Sequence, residues 1–248
     1  MKQPSKAGLY CRAAIFWLAS ILMLVFVVLG MMLLLPAPLN IRYHFATIWG
    51  RSNVWLLRVV CGLDFQVKGA ENLPKGAAIA MVKHQSTWET YALQQILPAQ
   101  AWVLKRELLW VPLFGWGLKM LNPIALDRRA GRKAVSQLVR QGEQRLANGR
   151  WVIIFPEGTR TPPGRKGDYK IGGAILASRV DYPVVPVAHN AGEFWPRHSF
   201  IKWPGKISVV IGAPIYGKGR KPEEVNQEVA EWIEGEMEKI SNPALWNR

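Results

Sequence analysis

The longest apolar run in the chain lies at residues 13–35, AAIFWLASILMLVFVVLGMMLLL, where only Ser20 and Gly30 interrupt the hydrophobic side chains and no charge occurs. As a helix rising about 1.5 Å per residue, this run reaches roughly 35 Å, enough for a hydrocarbon core of about 30 Å. A basic N-terminus precedes it, so a signal peptide competes with a retained membrane segment. The run exceeds the usual signal core of about 7–15 residues, and no A-x-A site follows before Pro36 and Pro38, which favours retention. Beyond those prolines, residues 39–61 alternate apolar and basic positions and include Tyr43, Trp49 and Trp55. Aromatic and arginine side chains favour the membrane–water boundary, so a second helix lying along or dipping into the interface is expected. A single full span would leave its two ends on opposite sides, and a hairpin or re-entrant helix pair is the preferred reading.

From residue 64 the pattern changes. Short apolar runs at 77–82, 101–104, 123–126, 151–155, 184–188 and 207–211 read as strands, and 3.6-residue periodicity at 88–97, 130–146, 171–179 and 223–240 reads as helices. The last of these has an apolar face of Val225, Val229, Trp232, Ile233, Met237 and Ile240. Alternating strand and helix argues for an α/β domain over 62–248, with a mixed, largely parallel sheet flanked by helices, behind a membrane-anchoring helical part over 1–61.

Charge narrows the choice of partners. The 248 residues hold 32 Lys and Arg against 17 Asp and Glu, a net +15, which implies a negatively charged partner: nucleic acid, a membrane surface or a phosphorylated substrate. Residues 1–61 contain Lys2, Lys6, Arg12, Arg42, Arg51 and Arg58 and no acid. Residues 101–180 hold 15 basic and 5 acidic residues, whereas 221–240 hold two Lys and seven Glu and read as an acidic, solvated face. Aromatic residues are not interleaved with the basic run at 128–150, which disfavours stacking on single strands, and no nucleic-acid partner is expected. The basic globular part favours the cytoplasmic side of a membrane. Two cysteines, Cys11 and Cys61, exclude a disulfide framework and a four-cysteine zinc site.

The sharpest candidate chemistry is KHQSTWET, residues 83–90, directly after an apolar strand. A His at the C-terminal end of a buried strand sits where open α/β sheets bind ligands. Glu89, five positions on, is able to hold the His84 imidazole in one tautomer and stabilise it once protonated, as a general base requires. Residues i and i+5 of one helix diverge by about 140°, so the two meet only if His84 precedes the helix. Ser86 and Glu89 also form a capping box, S-x-x-E, which explains both without any catalysis. The two roles are compatible if one carboxylate oxygen serves the cap and the other serves His84.

Residues 155–160, FPEGTR, follow the next apolar strand: Pro156 ends it, Gly158 permits close backbone approach and Arg160 offers a planar fork for phosphate. Arg165, Lys166 and Lys170 then lead to Gly172 and Gly173, where a helix N-terminus would present N–H groups to an anion. Asp127, Arg128 and Arg129, with Arg132 and Lys133 beyond, read on charge alone as the start of a basic surface helix. Residues 184–192, VVPVAHNAG, carry a proline that suggests an irregular or edge strand lining a site, and His189 reads as a packed polar residue. The chain has no G-x-S-x-G, P-loop, G-x-G-x-x-G or H-E-x-x-H signature.

Taken in order, these blocks resemble the glycerolipid acyltransferase family over roughly residues 65–215. The family's H-x4-D block is similar to His84 to Glu89, its F-I-D-R block to Ala125-Leu126-Asp127-Arg128, its P-E-G-T-R block to Pro156 to Arg160, and its V-P-V block to Val185-Pro186-Val187. A further stretch matches at Lys105, Glu107, Leu108, Pro112, Gly115 and Trp116. Lys83 replaces the usual Asn, and Glu89 the usual Asp. The resemblance implies an acyl group passing from acyl-CoA or acyl-carrier protein to the free hydroxyl of 1-acylglycerol-3-phosphate, giving phosphatidic acid. In that reading His84 and Glu89 are catalytic, Arg128, Arg160 and Lys170 hold the phosphate, and Glu157, Gly158 and Thr159 shape the acceptor site. Residues 108–121 would face the membrane or an acyl-chain tunnel, and no metal or bound cofactor is required. The expected setting is the cell inner membrane, with the catalytic domain on the cytoplasmic side. Other lysolipid acceptors, such as a lyso-ornithine lipid or lysophosphatidylglycerol, and a non-catalytic basic binding module stand as alternatives.

Overall fold

The computed structural model describes residues 5–246, so Lys2 lies outside the described residues. Two helices open the chain, α1 (Lys6–Leu33) and α2 (Leu39–Cys61), joined at 34–38. They pack antiparallel: Phe26 meets Phe45, and Trp49 Nε1 donates to the Ser20 carbonyl at 3.2 Å. Helix α1 is long and apolar enough to cross a bilayer. Ile15, Leu18, Leu22, Phe26, Leu29 and Leu33 recur at three- and four-residue spacing along its uncovered side, each more than half exposed.

Among the described residues seven strands follow: β1 (Leu63–Lys68), β2 (Ile79–Val82), β3 (Gln100–Lys105), β4 (Ile124–Leu126), β5 (Trp151–Ile154), β6 (Val184–His189) and β7 (Gly205–Ile211). They form one sheet in the order β1-β7-β6-β2-β5-β3-β4, parallel throughout except for the antiparallel pair β6 and β7. The further helices are α3 (Trp88–Ile96), α4 (Phe114–Met120), α5 (Arg132–Ala147), α6 (Gly172–Arg179) and α7 (Pro222–Ile240).

Alternate side chains of each strand enter different layers, as the two-residue period of a strand dictates. Ala78, Ala80 and Val82, with Trp151 and Ile153, pack beneath Phe16, Leu57, Cys61, Trp88 and Leu93. Ile79, Met81, Val152 and Ile154 pack on the opposite face against Leu138, Leu176, Val225, Val229 and Ile233. The first two helices thus share the apolar layer of the sheet. On α6, side chains at Gly172 and Gly173 would press on Leu138, Met81 and Ile154, so these two glycines serve close helix packing.

Two expectations change. Strand β1 has no apolar run, since its six residues include Asp64, Gln66 and Lys68, yet its register sets Phe65 beside Ile207 and Val67 beside Val209 at the sheet edge. Strand β6 is interior, not an edge, despite Pro186. Val185 and Val187 face β2, while Pro186 faces the chain just beyond β7, accepting from Gly212 N at 2.9 Å, so its missing N–H falls past the end of the β6–β7 ladder, which runs from Val187 to His189.

Candidate active site

The C-terminal ends of the parallel strands β2, β5, β3 and β4 supply the loops that carry the candidate residues. Strand β2 stops at Val82, Lys83 and His84 follow in a loop, and α3 begins at Trp88, so His84 precedes the helix as the pairing with Glu89 requires. His84 Nδ1 lies 2.8 Å from Glu89 Oε1. Since a carboxylate only accepts, Nδ1 carries the hydrogen and Nε2 is left with its lone pair. The ring stacks on Phe155, with centroids 4.0 Å apart.

The capping box is real as well, but on one oxygen and not on two. Glu89 Oε1 accepts the N–H groups of Gln85 at 3.0 Å and Ser86 at 2.9 Å in addition to His84, while the Ser86 hydroxyl accepts from Trp88 N at 3.2 Å and donates to the Trp195 carbonyl. Among the described residues Glu89 Oε2 is buried without a hydrogen-bond partner. Burial pushes the Glu89 carboxyl up, but His189, His84 and the Ser86 N–H outweigh it and hold it below its usual value. Burial in turn holds His189 below the usual imidazole value. Its contacts agree with a neutral ring, since Nε2 donates to the Lys83 carbonyl at 2.7 Å and Nδ1 accepts from Ala191 N at 3.3 Å. His189 therefore pins the chain beside His84 and does not reach the cavity.

The PEGTR loop divides its work between two sides. Glu157 points inward: Oε2 accepts the His84 N–H at 2.8 Å and Oε1 accepts the Thr161 hydroxyl at 2.8 Å. Gly158 turns the chain at φ +67, a left-handed conformation that costs glycine little. Arg160 donates to Thr87 Oγ1 at 2.8 Å, and Arg128 donates to the Gly158 carbonyl. Arg128 stands in a short turn capped by Asp127, whose Oδ1 accepts from Arg129 N, and the surface helix α5 begins only at Arg132.

These groups border a cavity of about 410 Å³. His84, Thr87, Arg128, Gly158, Thr159 and Arg160 line it, together with Lys105 and Arg197. Aliphatic and aromatic side chains complete the wall: Leu24, Val28 and Met31 of α1, Trp49 of α2, and Phe114 and Leu118 of α4. The 108–121 segment faces both ways, since Trp110, Val111 and Trp116 are exposed and Phe114, Gly117 and Leu121 line the cavity. Glu157 and Lys170 are not in the lining, and the Lys170 ammonium is bonded to Asp168. The N-terminus of α6 is absent from it too. Arg197, which no sequence pattern singled out, enters from the loop after β6 and donates to Thr159 Oγ1 at 3.3 Å.

An imidazole held by a buried carboxylate, guanidinium groups and an apolar cavity, gathered at the ends of parallel strands, make an α/β site whose chemistry suits an amphiphilic, anionic ligand. The acyltransferase family profile matches residues 64–190. The chain is 46% identical over 208 residues to a 1-acyl-sn-glycerol-3-phosphate acyltransferase of Pseudomonas aeruginosa, covering 82% of this chain and 81% of that one. It is 30% identical to the chloroplastic 1-acyl-sn-glycerol-3-phosphate acyltransferase of Arabidopsis thaliana over 74% of this chain, and spans 52% of that relative's length. The crystal structure of the 1-acyl-sn-glycerophosphate (LPA) acyltransferase PlsC from Thermotoga maritima superposes with a TM-score of 0.77 at 25% identity, covering 94% of this chain and 96% of that one. This chain belongs to the acyltransferase family.

Proposed function

We propose that this protein transfers a fatty acyl group from acyl-CoA or acyl-carrier protein to the free hydroxyl of 1-acylglycerol-3-phosphate, giving phosphatidic acid for phospholipid synthesis. The observation that carries this reading is the 2.8 Å contact between His84 Nδ1 and Glu89 Oε1 in the wall of a cavity with both guanidinium and apolar lining. His84 Nε2 takes the proton of the acceptor hydroxyl as its oxygen attacks the thioester carbon. The C–S bond then breaks, and the leaving sulfur receives that proton from His84. Glu89 stabilises the imidazolium in between. Backbone N–H groups steady the tetrahedral oxyanion. The reaction uses no metal or bound cofactor.

Arg128, Arg160 and Arg197 hold the acceptor phosphate, since a guanidinium presents paired donors that match its oxygens. Lys170, bonded to Asp168, is left out of that set. Gly158 and Thr159 shape the acceptor site, and Glu157 does so from behind by fixing His84. The apolar walls take the acyl chains. The setting we propose is the inner membrane, with α1 as anchor and the basic globular part, with its site, on the cytoplasmic side.

Purified protein is assayed with lysophosphatidic acid, lysophosphatidylglycerol and lyso-ornithine lipid, each against acyl-CoA and acyl-carrier protein, with products read by mass spectrometry. Phosphatidic acid formed fastest from lysophosphatidic acid supports the reading. Product only from another lysolipid, or from none, overturns it.

A further inference from the structure

The residue before His84 departs from the family's usual Asn, and its environment is a buried ionic cluster. The Lys83 side chain is 1% exposed, and its ammonium lies 2.7 Å from Glu157 Oε1 and 2.7 Å from Glu234 Oε1. Its third hydrogen faces the Arg165 carbonyl at 3.4 Å, so all three donors are used. Glu234 belongs to α7, whose acidic residues by sequence alone read as a solvated face. Its side chain is instead only 19% exposed and also accepts from the Tyr169 hydroxyl at 2.8 Å. Asn226, two turns earlier on α7, donates to the Tyr169 carbonyl at 3.0 Å.

The cluster ends at the proposed base. Glu157 takes the Lys83 ammonium on Oε1 and the His84 N–H on Oε2. Thr161, bonded to the same Glu157, donates its N–H to the His84 carbonyl at 2.8 Å. Both backbone groups of His84 are thus fixed by residues that depend on Lys83. Lys83, Glu157 and Glu234 all lie outside the cavity lining.

We propose that Lys83 is a positioning residue that bridges Glu157 and Glu234, offsetting one of their two charges, and so lets the terminal helix α7 hold the His84 loop in its reactive placement. An uncompensated pair of buried carboxylates repels, and relieving that repulsion moves the Glu157 side chain that fixes His84. Binding of the acceptor phosphate, which uses Arg128, Arg160 and Arg197, is spared. The inference rests on the acyl-transfer reading above, and wild-type turnover with lysophosphatidic acid is the arm that tests that reading separately.

The test compares wild type, Lys83→Met, Glu234→Gln and the double variant, each checked for folding by circular dichroism and thermal melting. In Lys83→Met we expect kcat to fall about 100-fold, the order of loss produced by a misplacement near 1 Å, with KM for the acceptor within about twofold. Glu234→Gln lowers kcat by a smaller factor, again without a change in KM. The double variant recovers about tenfold over Lys83→Met, because one of the two unpaired carboxylates is gone. A loss through packing alone gives no such recovery. Wild-type kcat in both single variants, a double variant no better than Lys83→Met, or a change confined to KM overturns the proposal. Should Lys83→Met fail to fold, Glu234→Gln decides alone: unchanged kcat overturns the proposal, and lowered kcat at constant KM upholds it.

Discussion

Glu89 Oε1 holds the His84 ring and the start of its own helix at once, accepting from His84 Nδ1 at 2.8 Å and from the N–H groups of Gln85 and Ser86. The amide oxygen of a glutamine in its place is able to accept from the same donors, but it carries no charge to stabilise an imidazolium. Glu89→Gln is therefore expected to cost about 1–2 kcal/mol of stability, since the cap survives in part, while kcat falls by about 100-fold or more. Parallel melting curves and steady-state kinetics separate the two effects. A variant that loses mainly stability returns Glu89 to the role of a helix cap.

His84→Ala removes the ring from its stack on Phe155 but leaves the backbone bonds of residue 84 to Glu157 and Thr161 in place. The expected result is a folded, membrane-bound protein with kcat reduced by about a thousandfold or more. Sedimentation with membranes and the acyl-transfer assay check both halves.

Much of this site was legible because local chemistry and strand ends coincide in the sequence. The runs before His84 and Pro156 are apolar enough to announce buried parallel strands, and the residues after them stand where such sheets bind ligands. Arg197 was not legible: it follows Pro196 in an irregular loop, and only the return of that loop from β6 brings it beside Thr159. Glu234 was misread for a related reason. Helical periodicity places it at the margin of the apolar face, and nothing local reveals that Lys83, 151 residues away, reaches it. Pro186 misled in the opposite direction, because its tolerance depends on where β7 stops.

The cavity lining predicts which cations matter for the acceptor. Arg160 and Arg197 border the cavity, whereas Lys170 is bonded to Asp168 outside it. Losing a charged hydrogen bond to phosphate costs about 1.5–3 kcal/mol, so Arg160→Ala and Arg197→Ala are each expected to raise the acceptor KM by about 10- to 100-fold. Lys170→Ala is expected to change it less than about threefold, as an exposed ion pair contributes little. Acceptor titrations at saturating donor measure all three. A larger effect at Lys170 than at Arg197 would reverse the assignment.

Lys202 packs the connection between β6 and β7 against α1 in a pH-dependent way. Its side chain is fully buried, with the ammonium 4.6 Å from the Phe16 ring, 4.1 Å from Trp17, 4.7 Å from Trp195 and 5.4 Å from Phe200, and bonded to the Phe200 carbonyl at 2.8 Å. Burial draws it down to about 7 from the usual lysine value of 10.5, with Cys61 opposing only in part. A depressed lysine binds fewer protons folded than unfolded between those two values, so stability rises as pH goes from about 7 to about 10. The contribution is on the order of a few kcal/mol. Lys202→Met has no proton to release and lacks this rise. Thermal melts in detergent at pH 6.5, 8 and 9.5 are therefore expected to show wild type gaining on Lys202→Met at each step. Parallel curves for the two proteins would mean that the ring faces keep Lys202 charged throughout, with their attraction balancing its burial.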